Sequence, residues 1–504
     1  MLASIVLGIG VRASLAVAQQ PLGPGQTPED PSGRDGPEAA TNTSKHYPPA
    51  PDTWANLTWA LNGTGAPGIY NSSHTPDSQY GTYNWCNMPH VRAQEYKVPV
   101  DGYQLVYVEA VQRHHKRTPY ASNTLRHEDV TWECNGAGPY AHARAATFST
   151  TPVYWQSMSG TLNPFEKVVD PGHYGILSSR GLARRAAYNL GGLEDARQHG
   201  EDFRHVYVDR LGFLPPGSNR DEYSFRVTNN VITSATLGAF VAGLYPDQEE
   251  YEALVQPETY DSLEPSFPCP TASKLLNQIR QEAEWLQHLN ASTALMSRFD
   301  DVAGRGPDDK DWHVSYDHAY DNLSAKQCHD LRLPCSATNS TLCVPQSDAD
   351  TIYRLGHWEY AYMYRVSNRS TAFSALKMGA WFGEVAEHLR TAAAGHKIKY
   401  RHNFAHDGSM AAILGLLQFA KPMWPGTGAE VVIELWKKES ESGRNFVRVL
   451  WSGQPLETST PLGTLDMVPL SDFLGYLEQT IPSDLVSACA SEIPNSPSVQ
   501  VPRQ

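Results

Sequence analysis

The chain has 504 residues, 40% hydrophobic and 19% charged, an ordinary globular balance long enough to bury a large core and to suggest two or more domains. Its formal net charge of -14 argues against nucleic acid as a partner, so a basic cluster is expected to be a local pocket rather than a binding face. Beyond the first residues no stretch approaches the roughly 20 apolar residues that span a bilayer.

Residues 1–18 read as a secretory signal. Leu2 to Ile9 is apolar, and Ala16-Val17-Ala18 before Gln19 offers a small-x-small cleavage site. Arg12 interrupts the run and no basic residue precedes it, so a mispredicted start with a disordered tail is the alternative. Sequons at Asn42, Asn56, Asn62, Asn71, Asn290, Asn322, Asn339 and Asn368 favour a glycosylated, secreted chain. Cys86, Cys134, Cys269, Cys328, Cys335, Cys343 and Cys489 lack metal-type spacing and read as disulfides with one left over. Their pairing stays open, though Cys328, Cys335 and Cys343 lie close enough for a local loop.

Residues 19–46, rich in Pro, Gly, Asp, Glu and Thr, predict a disordered leader, and residues 47–100 an irregular wrap over a domain surface. Leu105 to Val111 is β-branched and aromatic and predicts a buried strand ending at Arg113-His114-His115-Lys116-Arg117-Thr118-Pro119. Loops follow to Pro171, then Gly175 to Gly181 leads into a helical run over 182–190. Tyr223 to Thr228 predicts a strand and Ile232 to Gly243 a buried helix. Ala272 to Leu289 and Ser374 to Thr391 are amphipathic helices of a flanking helical subdomain, with a loop-like Asp300 to Val344 between them. Tyr400 to Ala405 is a strand candidate that opens through His406-Asp407-Gly408-Ser409-Met410 into a helix, Ala411 to Phe419. Two strands (Val431 to Leu435, Phe446 to Trp451) and a helix (Leu470 to Gln479) close the domain, and residues 489–504 form a flexible tail.

Dense positive charge at a strand's carboxyl end wants an anion, and phosphate fits arginine forks best. His114 between Arg113 and Arg117 can attack phosphorus, its imidazole kept neutral by the surrounding cations, while the arginines neutralise the phosphoryl oxygens. A solvated basic loop would look the same. Asp407 after His406 suits a general acid with His406 donating to phosphate, or simply a helix cap. Arg226, near a strand end, is a further phosphate ligand or a snorkelling surface residue. Gly136-Ala137-Gly138 follows no strand, and His199 and His205 beside Glu201 and Asp202 read as a solvated polar loop. No Gly-x-Ser-x-Gly elbow or Walker loop is present.

Together these segments resemble the histidine acid phosphatases, branch two of the histidine phosphatase superfamily, which include fungal phytases. The apolar strand and Arg113-His114-His115-Lys116-Arg117-Thr118-Pro119 resemble the family's Arg-His-Gly-x-Arg-x-Pro, and Phe404 to Met410 its His-Asp pair. Gly175 to Gly181, Phe225-Arg226-Val227-Thr228, and the closing hairpin and helix match three more segments in order, from about residue 100 to 480. The resemblance implies a three-layer α/β/α sandwich of the phosphoglycerate mutase-like type, with a mixed, mostly parallel sheet and a helical subdomain inserted mainly within 120–395 of a 47–488 domain. It implies His114 as nucleophile, Asp407 as proton donor, Arg113, Arg117, Arg226 and His406 as phosphate ligands, and no metal or organic cofactor. Two positions depart from the pattern: His115 replaces the signature glycine, where an imidazole could narrow the pocket, redirect the loop or add charge, and Gly408 follows the His-Asp pair.

The implied function is a secreted acid phosphatase acting on small phosphate monoesters, extracellular or retained in the cell wall, with no nucleic-acid partner and no membrane association after signal removal. A phytase-type inositol polyphosphate phosphatase, for which Lys116 would supply extra charge, is one alternative. A catalytically weak anion-binding protein on the same scaffold, because of His115, is the other.

Overall fold

Four strands lie parallel beside the segment that carries the basic cluster, in a computed structural model that describes residues 44–99, 102–125, 127–132, 153–157, 164, 190–217, 219, 221–248, 251–306, 308–440 and 444–491. The expected signal, most of the leader, Asn42, Cys134, Gly136-Ala137-Gly138, the segment 175–189 and the tail beyond Ser491 lie outside these residues.

The strands are β1 (Tyr103–Arg113), β2 (Val153–Ser157), β3 (Tyr223–Val227), β4 (Tyr251–Val255), β5 (Cys335–Ser336), β6 (Asn339–Cys343), β7 (Tyr400–Ala405), β8 (Glu430–Lys438), β9 (Asn445–Trp451), β10 (Gln454–Pro455) and β11 (Val468–Pro469). The helices are α1 (Leu57–Asn62), α2 (Leu190–Arg204), α3 (Val231–Leu244), α4 (Pro270–Ile279), α5 (Ala283–Ala291), α6 (Thr293–Ala303), α7 (Lys310–His313), α8 (Asp317–Gln327), α9 (Gln346–Ala361), α10 (Ser370–Ala393), α11 (Asp407–Leu416), α12 (Leu470–Thr480) and α13 (Leu485–Ala490). One mixed sheet runs β10-β9-β8-β1-β7-β3-β4-β2, with β11 also on β9, and β5-β6 form a separate hairpin. The pairs β1-β7, β7-β3, β3-β4 and β4-β2 are parallel, whereas β8 and β9 add an antiparallel flank.

The near-continuous apolar run of β1 is explained by burial on both sides. Alternate side chains point to opposite faces. Val108 and Ala110 join Phe203 of α2 and Leu237 and Phe240 of α3 in one core, and Tyr107 and Val111 join Phe382 and Val385 of α10 and Ile413 of α11 in the other. Buried Glu109 on that second face is held by His388 Nδ1 at 3.0 Å, His388 lying on α10.

Where the chain departs from its local pattern, tertiary partners explain it. The amphipathic run over 272–289 is two helices, because Glu282 is extended (φ -67°, ψ 151°) and its carboxylate gathers Tyr362, Ser367 and Arg369. The expected loop over 300–344 contains α8, whose buried face holds Asp321, Asn322, Ser324 and Lys326 and so shows no apolar stripe. The 47–100 segment does not merely wrap the surface: Tyr70, Tyr83 and Trp85 are buried in the main core, and Tyr70 stacks on Tyr353 at 4.1 Å. Ser44 and His46, at the end of the expected leader, are hydrogen-bonded to Thr480 and Thr371.

Disulfides join Cys86 to Cys328 and Cys269 to Cys489, tying the segment before β1 and helix α13 to the helical region, while Cys335 to Cys343 closes the β5-β6 hairpin. Among the described sequons, six asparagines are exposed, but Asn322 is fully buried. Its amide donates to the Asn123 carbonyl at 2.9 Å and accepts from Lys326 Nζ at 2.7 Å, so it is no glycan acceptor in the folded chain. No helix among the described residues is long and apolar enough to cross a membrane.

Candidate active site

Parallel pairing brings the carboxyl ends of β1, β7 and β3 side by side: Arg113 is in register with Ala405, and Val227 with Phe404. The residues that follow these strands therefore converge on one crevice, the place where open α/β sheets bind ligands. His114 donates its backbone N–H to the Ala405 carbonyl (3.1 Å) and accepts from Gly428 N–H (3.1 Å), which pins the turn. Its ring lies 5.4 Å from that of His406, centroid to centroid. A carbonyl can only accept, so the 2.8 Å contact of His114 Nδ1 with the His115 oxygen puts the proton on Nδ1 and the lone pair on Nε2. Burial, then Arg117, Arg113 and His406, hold this imidazole well below its ordinary pKa, hence neutral.

Arg113 and Arg117 flank it from opposite sides of the turn. Arg113 donates to the Pro425 carbonyl (2.6 Å), pairs with Asp407 Oδ2 (3.1 Å) and lies over the Trp85 ring at 4.6 Å. Arg117 donates to both oxygens of Asp321 (2.9 and 3.2 Å) and lies 4.1 Å over Tyr120. His406 occupies the N-cap position of α11, with Nε2 2.9 Å from Thr228 Oγ1 and 3.5 Å from Glu264. Asp407 begins that helix, where a carboxylate suits the helix dipole. Its Oδ1 accepts from Gly408 N–H and its Oδ2 from Trp424 Nε1 at 3.0 Å. Burial opposes its ionisation, but Arg113, the Trp424 N–H, Arg117 and His406 prevail and hold the carboxyl below its usual range.

The structure thus brings Arg113, His114, Arg117, His406 and Asp407 together. Arg226 is placed differently. Its two terminal nitrogens are engaged in the core by Glu384 (2.7 Å), Asp261 (2.7 Å), Ser262 (2.9 Å) and Gln256, the geometry of a structural ion-pair network rather than of an open anion ligand. Two residues further along, at the strand's end, Thr228 reaches His406 instead. Thr228, Trp424 and Asp321 had no legible signal: Thr228 meets His406 178 positions on, Asp321 meets Arg117 204 positions back, and Trp424 meets Asp407 17 positions back.

His115 does not enter the crevice. Its ring is buried, 3.1 Å from Gln112 Nε2 and 3.2 Å from His199 Nδ1 on α2. His199, a core residue rather than part of a polar loop, stacks on His90 at 3.8 Å and lies 3.2 Å from Glu430 Oε1. Gly428, at φ +70°, makes room, since a Cβ there would sit 2.6 Å from the His115 ring. Burial and then the neighbouring His199, His90 and Lys116 keep His115 neutral, so it adds no charge. Lys116 pairs with Asp195 (3.2 Å) and Ser73, and is not held out as an extra anion ligand.

Buried neutral histidines have a pH signature. The folded chain binds fewer protons at His199 than the unfolded chain does below about pH 6.5, so this contribution to stability falls as pH drops through that value. In His199→Gln the loss of stability between about pH 6.5 and 4.5, measured by urea unfolding, should be shallower than in the unmutated protein. Equal slopes would contradict a neutral buried His199. At Gly408 an added Cβ would meet only Tyr364 Oη, at 3.9 Å. Gly408→Ala should therefore be tolerated and raise the thermal midpoint, a gain of roughly 0.5–1 kcal/mol.

A family model for the histidine phosphatase superfamily (branch 2) matches residues 104–452. Counting factor 60 of Dictyostelium discoideum is 23% identical over 405 residues, covering 78% of this chain and 89% of that protein. Lysosomal acid phosphatase of Xenopus laevis is 26% identical over 317 residues, covering 58% and 69%. Among solved structures, Hafnia alvei phytase in complex with myo-inositol hexakis sulphate shares the fold, with a TM-score of 0.50 at 14% identity over 78% of this chain and 99% of that one. The matched region contains β1 with its basic turn, Arg226 and the His406-Asp407 pair, and the chain belongs to branch 2 of the histidine phosphatase superfamily, a phosphomonoesterase of the acid phosphatase family that uses a histidine nucleophile.

Proposed function

We propose that the protein is a secreted acid phosphatase that hydrolyses phosphate monoesters through a phosphohistidine on His114, with Asp407 as proton donor. The observation that carries this is the His114 ring: neutral, with Nδ1 tied to a carbonyl and Nε2 left as the nucleophilic nitrogen between two arginines. The phosphoryl oxygens take the place of Asp407 and Asp321 as partners of Arg113 and Arg117, with His406 donating from β7's end. Losing Arg113 and facing a dianion raises the Asp407 pKa, so the carboxyl acquires the proton it must give. Nε2 forms the N–P bond as the ester P–O bond breaks, and Asp407 protonates the leaving alkoxide. Water then attacks phosphorus, Asp407 takes its proton, and the N–P bond breaks to release phosphate and neutral His114.

Among the described residues, three disulfides and six exposed sequons support passage through an oxidising secretory route. The anion-binding alternative rested on an imidazole in the pocket, and His115 packs against α2 instead. The test is turnover of para-nitrophenyl phosphate by the purified protein from strongly acidic to neutral pH. A chain inert across that range is no phosphatase.

A further inference from the structure

Two hydroxyls stand behind His406 and take no part in the proposed bond making and breaking. Thr228 directly follows β3, Thr233 lies in the first turn of α3, and both are fully buried. The pairing of β3 with β7 places the first of them. Thr228 donates its backbone N–H to the Phe404 carbonyl at 3.2 Å, two residues before His406. Its Oγ1 then lies 2.9 Å from His406 Nε2 and 3.1 Å from Thr233 Oγ1. Arg226 on the same strand is turned into the core, so β3 reaches the crevice through Thr228.

Each hydroxyl has one proton, and that fixes the direction of the chain. Thr233 Oγ1 lies 2.9 Å from the Asn230 carbonyl and 3.2 Å from the Thr228 carbonyl. Carbonyls only accept, so the Thr233 proton goes to one of them, and Thr233 Oγ1 is left to accept from Thr228. The opposite direction would hold buried oxygens this close with no proton between them. With its own proton directed at Thr233, Thr228 presents a lone pair to His406, and His406 Nε2 must carry hydrogen. Glu264 gives the same answer independently, because its carboxylate, 3.5 Å from the same nitrogen, also only accepts. A half-turn of the ring would put a carbon where Nε2 stands and break both contacts, so one ring orientation is held.

Resting on the phosphatase reading, we propose that Thr228 and Thr233 form a hydroxyl relay that keeps the His406 proton on Nε2 and the ring in one orientation, leaving Nδ1 to donate to the phosphoryl group from the imidazolium form. Both threonines are thus positioning residues for phosphate binding. Thr228→Val, close in shape but without the hydroxyl, should raise the Ki of inorganic phosphate and the KM for para-nitrophenyl phosphate by about tenfold. Its kcat should stay within about threefold, since His114 and Asp407 are untouched. Thr228→Ser restores the hydroxyl and should hold Ki within about twofold of the unmutated value. Thr233→Val, although it does not touch His406, should raise Ki in the same direction by about threefold. In ¹⁵N-histidine-labelled full chain, the His406 signals, assigned by their loss in His406→Asn, should show a protonated Nε2 in the free enzyme and both nitrogens protonated with phosphate bound. An unprotonated Nε2 would overturn the proposal whether or not the valine variants fold. So would an unchanged Ki in folded Thr228→Val or Thr233→Val, or a Thr228→Ser no better than Thr228→Val. An unmutated chain that neither turns over the ester nor binds inorganic phosphate would remove the phosphatase reading and this proposal together.

Discussion

Replacing His114 by alanine is expected to lower kcat for para-nitrophenyl phosphate by about 10³-fold or more, because the atom that forms the bond to phosphorus is gone. The remaining groups still bind: Arg113, Arg117 and His406 come from β1, the following loop and β7, and the turn is pinned by main-chain bonds that alanine keeps. Inorganic phosphate should therefore still inhibit or bind, whereas turnover is lost. Quenching the unmutated enzyme in alkali during turnover should trap label from substrate phosphate on His114, since N–P bonds survive base better than acid. A label on serine, or unchanged turnover in His114→Ala, would refute the covalent route. Asp407→Asn should differ in kind, slowing esters with poor leaving groups more than para-nitrophenyl phosphate, whose phenolate leaves with little help from an acid.

Arg226→Ala is expected to destabilise the fold by about 3–5 kcal/mol, because it strands two buried carboxylates without their counter-ion. Glu384 comes from α10 and Asp261 from the turn after β4, so the guanidinium bridges the sheet and the helical region. Arg226→Lys should not restore the loss, since an ammonium cannot reproduce a fork shared by several acceptors. The checking measurement is the urea midpoint alongside KM for a simple monoester. An unchanged midpoint with a raised KM would make Arg226 a phosphate ligand after all; a lowered midpoint with KM held in the surviving folded fraction supports the core ion-pair network. The losses on a domain of ordinary stability, about 5–15 kcal/mol, would be visible in expression as well.

Much of the architecture was legible because it is written in short-range pattern. The apolar run of β1, the strand at 400–405 and the hairpin strands of β8 and β9 all follow from side-chain type and period. So did the long helix α10 and the closing α12. What resisted reading was structure built on buried polar groups. Helix α8 looks like a loop because Asp321, Asn322 and Lys326 face inward, each with a partner elsewhere. The Glu282 break between α4 and α5 depends on Arg369, 87 residues away.

The sequence alone determined the residue types the chemistry needs and the strand ends that carry them: Arg113-His114 and Arg117 after one apolar run, His406-Asp407 after another. Local order is enough for that, because a strand end and a helix start are set by neighbouring residues. Only the tertiary structure decided where the side chains past those ends point. His115, which in the sequence is one more charge in the cluster, turns to His199, 84 residues on, into a space that Gly428 leaves open. Arg226, which reads as a phosphate ligand, is drawn inward by Glu384 and Asp261. A side chain's direction follows the partner that best satisfies its charge and hydrogen bonds in a dry interior, and that partner is chosen by the packing of distant elements rather than by its neighbours in the chain.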